Sequence, residues 1–110
     1  FDVPWIIKRS MKHGLKATNQ SFLNTKKFFK YPHWDVHVIM ADYDRFKGAS
    51  LRLTCDHLGI PSPKEEEITA ENVSVAFKDG RIKEIKEYCL RDVQATYNAY
   101  LISKNYTFIK

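Results

Sequence analysis

A chain of 110 residues, 44% hydrophobic and 14% aromatic, can build one modest core and leaves no room for a second independently packed domain. Its net charge of +5 suits a polyanionic partner. No apolar run is long enough to cross a bilayer and no basic-then-apolar signal segment leads the chain. The expectation is therefore a soluble, cytoplasmic protein with no membrane partner. Cys55 and Cys89 form no CxxC pair and fall within apolar stripes, so they read as reduced core residues rather than a disulfide or zinc site.

The first segment, FDVPWIIKRSMKHGL, carries helix signals at both ends. Asp2 stands where a cap would, Pro4 fits the first turn and Gly14 fits the stop, which predicts a helix over about 3–13. Lys8, Arg9 and Lys12 fall on its polar side, either as a solvated basic face or as contacts that track phosphates. From Lys16 to Trp34 neither helical nor strand period holds, and the stretch reads as an irregular insertion with one short strand near 27–31. Lys27 and Phe28 lie there among further lysines and aromatics. That mixture serves either to close a core under a loop or to stack exposed bases while neutralising their phosphates. His33 and His37 flank Asp35 at a metal-like spacing, but an extended chain near Pro32 need not bring them together.

Further on, Ser50 caps SLRLTCDHLG, Gly59 ends it, and Pro61 and Pro63 forbid continuation. The acidic run Glu65 to Glu67 reads as solvated charge in a loop, and a shorter helix over about 70–78 leads to the turn at Asp79 and Gly80. The last helix, about 81–103, has the strongest pattern. Ile82, Ile85, Cys89, Val93, Thr96, Tyr97, Tyr100 and Leu101 recur at spacings of three and four, which predicts a single buried stripe. Beside it Tyr88 and Asp92 stand four apart, so a phenol and a carboxylate project the same way from adjacent turns. As residues alone they read as a core-capping tyrosine and a solvated acid. Periodicity shows no central sheet.

In order along the chain, FDVP, SLRLTCDHLGIP and DGRIKEIKEYCLRDVQATYNAYL resemble the end of the second motif, the middle helix and the last helix of the DEDDy 3′–5′ exonucleases. The likeness is to the predicted-exonuclease branch related to the proofreading domain of family B DNA polymerases. WDVHVIMADYDRF resembles that family's run before the middle helix, with Asp35 capping a helix over about 36–46. YxxxD alone is a weak signal; the ordered set is specific and covers most of the chain.

The resemblance implies an α/β, ribonuclease H-like fold, of which residues 1–110 would be the mainly helical C-terminal part of a single domain. It also implies four metal-binding acids. Asp2 and Asp92 match two of them, and no DxE on a strand precedes FDVP, so the first motif is expected upstream of Phe1. Under the resemblance Asp2 and Asp92 hold metal, Tyr88 orients the attacking water, and the cofactors are two Mg²⁺ or Mn²⁺ ions, which suit hard carboxylate oxygens. The implied substrate is single-stranded DNA, with RNA second. Association with another copy is expected if the faces meant for a sheet are bare. The rival from another class is a non-catalytic nucleic-acid-binding or interaction module.

Overall fold

The computed structural model describes residues 2–26, 32–42, 44, 48–62 and 68–107. These form α1 (Asp2–Lys12), a 3-10 turn (Gln20–Leu23), α2 (Val36–Met40), α3 (Leu51–Leu58), α4 (Val73–Lys78) and α5 (Ile82–Ser103), with no strand among the described residues. The chain divides into two units, Phe1–Asp35 with Ile109–Lys110, and Val36–Phe108.

In the first unit α1 begins at Asp2, so the carboxylate lies in the first turn, where the helix dipole favours negative charge. Gly14 ends the helix as predicted. It adopts φ +67°, open to glycine without strain, and lets the Leu15 N–H reach back to the Ser10 carbonyl at 2.9 Å. Val3, Ile7 and Ser10 are half-buried on the inner side, whereas Trp5 is 55% exposed. Within the stretch read as irregular, the 3-10 turn is capped by Asn19, whose side chain accepts from the Ser21 N–H at 3.0 Å. His33 donates from Nε2 to the Phe22 carbonyl at 2.8 Å and sets its ring edge-on to Phe22. The strand expected near 27–31 lies outside the described residues, as do Lys27 and Phe28.

The second unit is built on α5, against which α2, α3 and α4 all pack. Ser50 caps α3 as predicted, its hydroxyl accepting from the Leu53 N–H at 3.2 Å. Gly59 then turns left-handed, and the Ile60 N–H returns to the Cys55 carbonyl at 3.1 Å. The helix expected over 36–46 is shorter. It stops at Met40, and Asp42 adopts φ +50°, a conformation incompatible with continuing a right-handed helix. Arg81 and Glu84 pair through two hydrogen bonds at the start of α5, which fixes its first turn.

The buried side of α5 is not the predicted one. Ile82, Val93 and Tyr97 are 51%, 59% and 52% exposed, and Cys89 and Thr96 are exposed too; only Ile85, Tyr100 and Leu101 of that stripe are half-buried. The helix instead buries Ala95, Ala99 and Ser103. The physical reason is the size of the opposing residues. α3 and α4, which both pack on α5, bury Thr54, Cys55 and Ala76, so the buried residues on all three helices are small, and small side chains favour close helix packing. The expectation for the cysteines is half corrected as well: Cys55 is buried and Cys89 exposed, and both are free thiols.

Candidate active site

The rotation of α5 brings Tyr88 and Asp92 inward. With the buried face set by Ala95 and Ala99, residues 88 and 92 continue the same side at spacings of four, three and four, and both are half-buried. Burial pushes the Tyr88 phenol above its ordinary pKa, and the negative charge of Asp92 and a hydrogen bond to that carboxylate push it further. At neutral pH Tyr88 therefore keeps its proton and donates it to Asp92. The oxygen is left with lone pairs to accept from a water.

Two neighbours of this pair were not assigned to the site from the sequence. Glu71, just before α4, adds its charge to those that raise the Tyr88 pKa, and a hydrogen bond from the Thr69 side chain holds its own carboxyl below the usual range. Cys55, on α3, feels Asp92 as well; burial first, then Asp56 and Asp92, push its thiol up. Glu71 lies outside the quoted motifs, and Cys55 lies within SLRLTCDHLGIP with no role assigned to it there. Only the approach of α3 and α4 to α5 could have found them.

Asp2, Lys8, Arg9 and Lys12 all lie on α1 in the first unit and are exposed, with the Arg9 guanidinium over the Trp5 ring at 5.5 Å from its centroid. His33 and His37 do not read as zinc ligands: the first bonds Phe22, while His37 donates from Nδ1 to the Ala49 carbonyl at 3.1 Å. Among the described residues no group of three or more His, Cys, Asp or Glu side chains converges as a metal site. Asp2 in the first unit and Asp92 in the second are each a carboxylate with access to solvent, the oxygen chemistry that a hard divalent ion takes.

A family described as a predicted 3′–5′ exonuclease related to the exonuclease domain of PolB matches residues 1–107. The chain belongs to that family. Comparison with curated proteins and with solved structures gives no match. No described helix is long and apolar enough to cross a membrane.

Proposed function

We propose that this chain is part of a metal-dependent 3′–5′ exonuclease domain of ribonuclease H-like fold that hydrolyses the terminal phosphodiester of single-stranded DNA, with RNA as the second substrate. The observation that carries the reading is the Tyr88–Asp92 pair, half-buried on one face of α5 in a chain that the exonuclease family matches almost end to end. Asp2 and Asp92 would hold Mg²⁺ or Mn²⁺. Bound there, the ions would make hydroxide available near neutral pH and neutralise the leaving oxygen. Tyr88 keeps its proton on Asp92 and accepts a hydrogen from the attacking water, so the water presents a lone pair to phosphorus. Lys8, Arg9 and Lys12 neutralise phosphates of the bound strand, and Lys27 and Phe28 extend that contact. The cell compartment in this reading is the cytoplasm, and the exposed Ile82, Leu90, Val93 and Tyr97 favour association with another copy.

The test is digestion of a 5′-labelled single strand with Mg²⁺ or Mn²⁺ by a protein that carries this chain within its whole domain. Shortening from the 3′ end that stops in excess EDTA is the expected result. Undiminished digestion in EDTA, or digestion indifferent to a blocked 3′ end, overturns the proposal. A protein that binds the strand without shortening it is the non-catalytic module.

A further inference from the structure

The first 35 residues carry seven Lys or Arg against two Asp, so the entire net charge of +5 falls in this stretch; residues 36–110 are balanced at eleven of each sign. The net attraction for a polyanion is therefore concentrated in the first 35 residues. On α1 it is ordered further. Asp2, Trp5, Arg9 and Lys12 follow one another at spacings of three, four and three, so they share one helix face, and all four are exposed. The half-buried Val3, Ile7 and Ser10 occupy the other side. Lys8 flanks the exposed row, and the only acid on the helix is Asp2 at its start.

We infer that Trp5 is a stacking platform for a base at or next to the 3′ end of a bound single strand, and that Arg9 and Lys12 bind the phosphates that follow. The inference rests on the exonuclease reading in one respect, that the 3′ end lies at Asp2. Trp5 is 55% exposed although indole is large and apolar, and Arg9 stands over its ring at 5.5 Å, so the ring is held by a cation while still presenting open surface. An arginine-backed aromatic beside further cations is what sequence-tolerant single-strand binding uses, because every base has a π-face and every nucleotide a phosphate. The spacing fits a strand laid along the helix. At about 1.5 Å per residue, Trp5 is about 4.5 Å beyond Asp2, Arg9 about 10.5 Å and Lys12 about 15 Å. With bases stacked at roughly 3.4 Å, Trp5 meets the last or second-to-last base. Lys12 then meets a phosphate about four nucleotides in, while the Arg9 guanidinium, over the Trp5 ring, meets the phosphate next to the stacked base. A duplex end, its bases already stacked on each other, would gain little from the indole.

The experiment measures binding in EDTA, so that no strand is cut, by indole fluorescence quenching and by anisotropy of a 5′-labelled oligodeoxythymidine. Trp5→Ala weakens the intact strand at least about fivefold, the low end for a base stacked on an aromatic side chain. Trp5→Phe, which keeps a ring, recovers most of that loss. An oligomer made abasic at its last two positions binds wild type and Trp5→Ala alike, while one made abasic near its 5′ end still distinguishes them. Lys12→Gln weakens all of these oligomers equally and lowers the salt slope by about one, whereas Arg9→Gln, which also takes away the cation over the indole, weakens the intact strand more than the one abasic at its 3′ end. Equal binding of the intact strand by wild type and Trp5→Ala overturns the inference, as does a Trp5 effect that ignores where the abasic sites lie, or no binding by wild type at low salt. Digestion separates the two proposals. Shortening from the 3′ end without a Trp5 effect removes this inference and leaves the exonuclease reading. A 3′-dependent Trp5 effect without shortening in Mg²⁺ or Mn²⁺ removes the catalytic reading and leaves the platform.

Discussion

Replacing Ala99 by leucine asks which side of α5 is packed. Ala99 is fully buried, on the same face as Ala95 at 4% exposure and Ser103 at 5%. Leucine adds three carbons where the facing residues on α3 and α4 are themselves small and buried. The helices must separate or the new side chain must leave its preferred rotamer, at a cost of about 1–3 kcal/mol. For a domain near this size each kcal/mol lowers the melting midpoint by roughly 4–8 °C, so a fall of about 4–24 °C is expected. Val93→Thr is the paired control. Val93 belongs to the stripe that hydrophobic spacing marks as core but is 59% exposed, so the change should move stability by no more than about 0.5 kcal/mol. Urea and thermal unfolding followed by helical circular dichroism give both values. If Val93→Thr costs more than Ala99→Leu, the Ile82–Val93–Tyr97 side is the packed one and the inward placement of Tyr88 and Asp92 fails with it.

Asp92→Ala removes a proposed metal ligand and should abolish exonuclease turnover. Tyr88→Phe, which removes only a hydroxyl bonded to that ligand, should lower turnover by about 10- to 100-fold with folding intact, and unchanged activity in both variants would refute the site. In an alkaline titration followed by phenolate absorbance, Tyr88 should ionise above the ordinary tyrosine range, and Asp92→Asn should lower it in part, because burial is the larger cause. Because its folded pKa is raised, the stability linked to Tyr88 is present below the unfolded tyrosine pKa and lost as pH rises through the folded one; denaturant midpoints of wild type and Tyr88→Phe across that range check the sign. Ser50→Ala removes the α3 cap and should cost about 1 kcal/mol in urea unfolding; no loss would mean that Leu53 N–H finds another acceptor.

The helices were legible where a chemical stop or start marks them. Ser50, Gly14 and Gly59 each have a backbone consequence that their residue type imposes, and those ends fall within a residue or two of expectation. The end of α2 was not legible, because Asp42 in a left-handed conformation is permitted by its side chain and not announced by it. The facing of α5 was misread because the hydrophobic pattern weights bulk. Alanine contributes little to such a pattern, yet Ala95 and Ala99 determine how near α3 can come. The Tyr88–Asp92 spacing gave the pair itself, since any helix brings positions four apart together. It gave no sign of Cys55 or Glu71, whose nearness depends on packing between elements remote in sequence. The +5 charge was visible from composition, whereas its concentration in the first 35 residues becomes meaningful only once the units are delimited.

The unequal surroundings of the two thiols make this chain its own labelling reagent target. Cys55 is sealed, and its proton is held by burial and by two nearby carboxylates, which suppresses the reactive thiolate. Cys89 is open to solvent and adjoins Tyr88 in sequence. A maleimide dye or nitroxide added at one equivalent should therefore attach at a single position without any cysteine being engineered away. The label would ride on the outward side of α5, one residue from the phenol, close enough to register a strand or a divalent ion arriving at Asp92.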